Sequence, residues 1–405
     1  MTTTTGEILE YPMVTDTALE VAPIFAELQQ RGPIKVQLPY GEPCWLATRY
    51  EDVRAVYGDR RFSRAAGIPH DAPGIWDASK AKDPTLLVNM DPPEHTRVRR
   101  LAAAAFSPRR VRLMETWVQE LVDRLFDEMA AQGDSADFHT AYAEQLPVLV
   151  LAKILGVPES DGPDFRRWIG TGSAFTATME ERRAAHQAMN QYIAALISDR
   201  RSRSGEADDL VSGLVHARDD DDQLSEAELV SLCVTLVNGG FHTTVVQLGT
   251  TAYTLATHPD HWRELVEDPG LVPAAAEELW RWVPSFKYGV PFPRWATEDL
   301  ELSFGTVIRA GEPVLPEHAV ANRDDSVFPH AAELDFHRDN PKPHLALAFG
   351  AHHCMGANLA NLQLRLSIEG LVERFPTLRL AVPTSDVPWS ADTFMRSVES
   401  LPVAW

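Results

Sequence analysis

Cys354 stands in the string Phe349-Gly350-Ala351-His352-His353-Cys354-Met355-Gly356, and a helical apolar pattern follows it. A cysteine just ahead of a helix meets partial positive charge and free backbone N–H groups, which lower its pKa and favour a thiolate. The flanking glycines let backbone lie close to a planar cofactor and aim amides at the sulfur. A ligating thiolate and a buried, inert cysteine both remain open from this string alone. Zinc held by His352, His353 and Cys354 is a poor match, because the three are adjacent and lack a distant partner. Cys44 and Cys233 lie far away without CxxC spacing, so neither a disulfide framework nor a zinc knuckle is supported. A second concentration of chemistry is Asn238, Gly239, Gly240, His242, Thr243 and Thr244, set in an otherwise apolar stretch. Two glycines cost about 1 kcal/mol each in a helix. Either something approaches the backbone there, or the helix packs tightly on a neighbour.

The elements that must position these groups follow from pattern and punctuation. Cys44 to Thr48 reads as a strand and Glu51 to Tyr57 as a short helix, while Ala65 to Pro84 is too broken by proline and glycine for regular structure. From Pro93 to Thr257 the pattern is almost wholly helical, punctuated at Pro158, Gly162 and Pro163 and at Ser202 to Asp209, with a solvated turn at Asp219 to Asp222. The longest helix starts at Ser225, where Glu228 completes a capping box, and stops before Pro259. About 33 residues make it roughly 50 Å long, enough to cross the molecule. Its middle, Leu232 to Val246, is apolar nearly all round and predicts burial on every side. A helix from Pro259 through Glu277 to Trp282 follows, then short strands at Phe292 to Trp295 and Leu300 to Leu302. The last helix spaces Leu359, Leu362 and Leu366 along one face, and strand-like pieces close the chain near Leu378 to Val382 and Leu401 to Trp405.

The 405 residues, 44% hydrophobic, can bury a large core, and no repeat or low-complexity linker divides them. We read one mainly α domain with a small β region over 1–405, with 1–15 flexible. No apolar run is expected to approach the roughly 18 to 20 residues of a membrane span, so a cytoplasmic protein is expected. The net charge of -21 argues against nucleic acid or an anionic membrane as a partner. Against that background Arg97, Arg99, Arg100, Arg109, Arg110 and Arg112 form a basic stretch, either a solvated helix face or a docking patch for an acidic protein.

The cysteine string resembles the heme-binding signature of cytochromes P450, FGxGxHxCxG, and further motifs of that family follow in order. Asp91-Pro92-Pro93-Glu94-His95-Thr96-Arg97-Val98-Arg99 resembles the segment whose HxxxR residues bind heme propionates. Glu278-Leu279-Trp280-Arg281 resembles the ExxR pair that organises the cysteine side. Pro293-Arg294-Trp295 resembles the strand carrying another propionate-binding arginine, and Ala321-Asn322-Arg323-Asp324 resembles the meander. The resemblance implies the P450 fold, a helix-rich prism with a long central helix over heme b. It implies Cys354 as the axial iron ligand, and His95, Arg99, Arg294, His344 and His352 beside the propionates, with Phe349, Gly350 and Gly356 shaping the loop. Glu278, Arg281 and Arg323 are implied as structural. Propionates need cations, and arginine adds bidentate pairing.

Two departures stand out. Aligned on Cys354, Leu347 replaces the motif's phenylalanine and Ala348 its first glycine, which puts the loop's shape in question. In the central helix, Gly239-Gly240-Phe241-His242-Thr243 keeps the threonine of the family's acid–alcohol pair and substitutes histidine for the acid. Gly240, His242 and Thr243 are therefore the catalytic candidates, with proton delivery altered; a core histidine bonded to a neighbouring helix is the competing reading. By resemblance the pocket is lined by the loop after Arg64, Ser173 to Met179, Val237 to Thr244, Lys287 to Phe292 and Thr393 to Arg396. Its expected lining residues are Trp76, Met90, Phe175, Val237, Phe241, Val290, Phe292, Phe394 and Met395.

The terminal pattern from Val387-Pro388-Trp389 to Leu401-Pro402-Val403-Ala404-Trp405 resembles P450s that couple cyclic dipeptides. The favoured expectation is thus an oxidase of bacterial secondary metabolism acting on an aromatic cyclic dipeptide, by C–C or C–N coupling or hydroxylation. The alternative is a hydroxylase of another natural product such as a macrolide, terpenoid or carrier-bound amino acid. A heme-thiolate sensor without turnover is a third class, and a heme-free scaffold a fourth, disfavoured by its buried cations. O2 and a separate ferredoxin with its reductase are the implied partners, docking near Arg100, Arg109, Arg112 and Arg365, and a monomer is expected.

Overall fold

A computed structural model describes residues 8–13, 19–74, 83–173, 177–202, 209–216, 224–287, 292–339, 343–390 and 395–405. The expectations for residues 1–7, 14–15, 203–208 and 219–222 lie outside these. The architecture is helical with a small β region. One six-stranded sheet runs in the order Leu9–Glu10, Ile34–Gln37, Cys44–Ala47, Pro313–Pro316, Arg294–Ala296, Phe62–Ser63. The strand expected at Phe292 to Trp295 is Arg294–Ala296, and its pairing of Arg294 with Val314 fixes where that arginine points. A three-stranded sheet places Pro402–Ala404 between Arg379–Leu380 and Ser135–Asp137. A segment about one third of the way along the chain thereby holds its last residues.

The central helix, Glu226–Thr257, has the expected capping box, with the Glu228 N–H donating to Ser225 Oγ at 3.2 Å and the Ser225 N–H to Glu228 Oε2 at 2.7 Å. By length and composition it could cross a membrane, its best window having a mean hydropathy of 1.5, which corrects the reading that no stretch approaches a span. Here it packs inside the helical core, against the helices Gln145–Leu155, Gly162–Ser173, Met179–Ser202 and Ala357–Arg374. Burial on every side holds only for its second half, where Val245, Val246, Leu248, Ala252 and Leu255 are buried. Thr250 and Thr254 satisfy their hydroxyls there by donating to the carbonyls of Val246 and Thr250, 2.6 and 2.7 Å away. Midway, Asn238 and Gly239 are exposed, so this face opens instead of packing.

The helix expected from Pro259 to Trp282 is two helices, Pro259–Glu267 and Val272–Trp282. Asp268 caps the break, its Oδ1 accepting the Gly270 N–H at 3.0 Å, where Pro269 removes a backbone donor. The last helix, Ala357–Arg374, buries Leu359, Leu362 and Leu366 and lies on Pro108–Ala130. Gly370 is required at that contact, since a Cβ there would meet Phe126 at 2.7 Å.

Candidate active site

The Cys354 loop is built by backbone. The Cys354 N–H donates to Leu347 O at 2.8 Å and the His353 N–H to Gly350 O at 3.1 Å, ahead of the helix Ala357–Arg374. Gly350 has φ +72°, and a Cβ on it would lie 2.5 Å from Tyr57 O. Ala348, standing where the signature has glycine, has φ +60°. The loop therefore keeps a left-handed turn that glycine adopts freely, and an alanine bears it. Phe349 packs on the helix Tyr50–Gly58, with the Arg54 guanidinium 4.7 Å from its ring centre. Cys354 presents accessible surface but is hemmed in by protein on its other sides. That enclosure pushes the thiol above its usual range, against the Gly356 N–H and Arg99, which pull it down. The expected acidification by the helix start is thus outweighed in the protein alone.

Beside this loop lies a cluster of cations. His95 is buried and its ring centre is 4.2 Å from that of His352. Arg99 donates to His353 O at 2.5 Å. Arg294 is buried, its guanidinium 5.5 Å from the ring centre of Tyr57. Burial first, and the neighbouring arginines with it, lower His95 to about 4 and His352 to about 2. Asp91, the nearest acid, is engaged by the Ser63 hydroxyl and the Arg64 and Ala65 amides. Among the described residues no carboxylate pairs with Arg294. His344 sits apart from this cluster's bonds, its Nε2 3.4 Å from Glu277 Oε2.

Behind the loop, Glu278 and Arg281 form a fully buried bidentate pair, both bonds 2.7 Å. Arg281 also donates to the carbonyls of Asn322 and Ala331 at 2.8 Å and of Glu333 at 3.0 Å. Asn322 Oδ1 in turn accepts the Leu345 N–H at 2.7 Å. The pair is therefore joined by hydrogen bonds to the strand of chain that enters the cysteine loop. Arg323 donates to Ala332 O and Trp282 O, and stacks on Trp282.

On the central helix, Thr243 Oγ1 donates to Gly239 O at 2.5 Å, and Thr244 Oγ1 to Gly240 O at 2.8 Å. The two glycines have different causes. A Cβ on Gly240 would meet Leu151 at 3.0 Å, a packing constraint, whereas one on Gly239 would meet nothing within 4 Å. His242 is held at about 4, chiefly by burial.

A protein-family model described as Cytochrome P450 matches residues 173–397. The chain is 43% identical over 404 residues, 99% of its length and 100% of the relative's, to the mycinamicin IV hydroxylase/epoxidase of Micromonospora griseorubida. The chain belongs to the cytochrome P450 family. This P450 is also 44% identical to the nocardicin C N-oxygenase of Nocardia uniformis subsp. tsuyamanensis, over 98% of both chains. A solved structure of a variant of the mixed-function P450 MycG in complex with mycinamicin IV superposes with a TM-score of 0.91, at 42% identity, covering 98% of this chain and 100% of that one. The chain is thus a P450 monooxygenase of bacterial secondary metabolism, with heme b as its cofactor. Bacterial P450s generally take electrons from ferredoxin and reductase partners and act on small substrates with O2.

The residues present fit that cofactor. His95 Nε2, His352 Nε2 and Tyr57 Oη are buried atoms without a hydrogen-bond partner, grouped with the unpaired charge of Arg294. Two carboxylates are what such a group lacks. Among the described residues no three His, Cys, Asp or Glu side chains are placed to hold a metal ion, which leaves the zinc reading without a ligand set. Sequence reasoning missed Tyr57; its signal was a hydroxyl among the core residues Val53 and Val56 of one helix.

Of the expected pocket residues, Met90, Val237 and Phe241 are buried in the principal core. Phe292 lies 5.1 Å beneath the Arg64 guanidinium. Met395 is buried and bridges to Phe286. Trp76, Phe175, Val290 and Phe394 lie outside the described residues. The wall at Met395 is tied to distant chain: the Arg396 N–H donates to Ser285 O at 2.9 Å, its guanidinium to Glu20 O at 3.0 Å, and Ser285 Oγ to Gln247 Oε1 at 2.6 Å.

Proposed function

We propose that this P450 is a tailoring enzyme that hydroxylates or epoxidises a macrolide-type natural product. The observation that carries this is the relative named for mycinamicin IV, aligned over the whole of both chains. The aromatic cyclic dipeptide expected from the terminal pattern finds no support among the relatives described, and the macrolide alternative takes its place. A second reading, oxygen transfer to nitrogen in a smaller metabolite, is favoured by the similarity to the nocardicin C N-oxygenase.

Heme b, when bound, supplies the iron for oxygen activation, and its charge favours Cys354 as the thiolate. His95, Arg99, Arg294 and His352 hold the propionates, with Tyr57 adding a hydroxyl donor. His344, paired with Glu277 and accepting the Ala346 N–H, braces the chain that enters the loop. Gly239 leaves room on the open face of the central helix, and Thr243 keeps its hydroxyl aligned through the bond to Gly239 O. His242 takes the place of the family's acid in holding and passing a proton. Phe292 offers partly exposed apolar surface to the substrate, and the buried Met90, Val237, Phe241 and Met395 back that lining.

Spectral titration of the purified holoprotein with mycinamicin-type macrolides, nocardicin C and a panel of cyclic dipeptides tests the substrate class. A surrogate ferredoxin and reductase, with mass analysis of products, tests turnover. We expect macrolide binding and a product heavier by one oxygen. Tight binding and coupling of cyclic dipeptides, with none of the macrolides, overturns the proposal.

A further inference from the structure

Inserting one atom of O2 into a substrate and releasing the other as water consumes two electrons and two protons. The electrons come from a protein partner, but the protons must cross the protein from solvent. The usual acid is replaced by His242, so a proton source for that imidazole is needed.

Three features of the structure meet at His242. First, the segment that carries His139 and Glu144 packs against the central helix, and these are the two titratable groups that act on His242 electrostatically. His139 opens a π-helical turn, His139–Ala143, and Glu144 follows it. Such turns are rare in proteins and recur at functional sites. Second, His139 Nε2 lies 3.3 Å from Glu144 Oε1, while its other nitrogen, Nδ1, is buried without a hydrogen-bond partner. Third, exposure falls from Glu144, with 43% of its side chain exposed, to His139 with 11%. His242 is half-buried on the central helix, one turn from the exposed Asn238 and Gly239 and next to Thr243.

We propose that Glu144 and His139 form a side-chain route carrying protons from solvent to His242 on the central helix. The inference rests on the role proposed above for His242 and Thr243. Glu144 takes a proton from water and passes it to His139 Nε2. The ring releases a proton from Nδ1 toward His242, which accepts on one nitrogen and gives up a proton from the other, beside Thr243. Each group ends with the charge it began with. Because burial keeps His242 neutral at neutral pH, it has one N–H and one lone pair, as such an exchange requires.

The test uses the holoenzyme with surrogate electron donors and a substrate that it turns over. Glu144→Gln, His139→Asn and His242→Phe should each divert electrons from product to hydrogen peroxide several-fold and enlarge the solvent deuterium isotope effect, with heme content unchanged. Placing Glu144→Gln on His242→Asp, which restores the family's acid, should add no further loss. Independently of turnover, ring nitrogen NMR of labelled histidine should show the His242 signals moving in Glu144→Gln. If His242→Phe uncouples while Glu144→Gln and His139→Asn stay coupled and the His242 signals stay put, the route is overturned and the role of His242 stands. If His242→Phe itself stays fully coupled, that role fails and the route with it.

Discussion

Ala348 shows what a single departure from a signature costs. The turn before the cysteine needs φ near +60° at this position, where an L-residue crowds its own carbonyl. Ala348→Gly should therefore stabilise the holoprotein by up to about 1 kcal/mol, the relief of the turn exceeding the added freedom of the unfolded chain. Denaturant unfolding followed at the heme band would show it, and a loss of stability would mean that the alanine methyl packs usefully. At this scale the sequence was informative wherever spacing along the chain is itself the geometry, as with Glu278 and Arg281 one helical turn apart. It was silent on Tyr57, on the bond from the Leu345 N–H to Asn322, and on the packing of the His139 segment against the central helix, because those neighbours are brought together by folding across tens to hundreds of residues.

Among elements, the hydrogen bonds from Glu278 through Arg281 and Asn322 to Leu345 explain how a buried ion pair serves a cysteine it never touches. An isolated buried pair seldom adds stability, but breaking one strands a charge. Asn322→Ala removes only the acceptor for the Leu345 N–H, leaving the pair intact. We expect a loss of about 1–3 kcal/mol in unfolding free energy, together with faster heme transfer to apomyoglobin. Unchanged heme release would assign Asn322 to general packing. The central helix was legible in its caps and length but not in its open face, since Asn238 and Gly239 look like defects in an apolar run until the fold leaves space beside them. The strand Ser135–Asp137 was missed because three polar residues carry no periodic signal. His318, at the start of a short helix after the strand Pro313–Pro316, is buried and held at about 4 by that burial. The unfolded chain takes up a proton near pH 6.5 that the folded one refuses, so its stabilising contribution is complete above that pH and declines toward pH 4. The change is about 3 kcal/mol at most. His318→Leu should flatten the acid limb of stability measured by urea unfolding between pH 7.5 and 4.5; an identical slope would move the effect to other groups.

For the molecule as a whole, an acidic chain carries its exposed basic stretch beside the cysteine helix. Arg100, Arg109 and Arg112 are exposed, and Leu113 among them is 69% exposed. Arg365, expected to join them, is already paired with Glu115 and Glu369. Reversing Arg109 and Arg112 to glutamate should therefore slow electron transfer from an acidic ferredoxin at least tenfold at low salt, with the difference shrinking as salt is added. Arg365→Glu should matter far less. Stopped-flow reduction across a salt series would decide, and equal effects at all three positions would place the contact elsewhere. Finally, the Met395 wall is anchored at once to Glu20, to Ser285 and, through Ser285, to Gln247 on the central helix. Anyone retuning specificity by directed evolution should treat these four places as one unit, because a change at the wall propagates to three remote stretches, and libraries that randomise them one at a time will discard combinations that succeed only jointly.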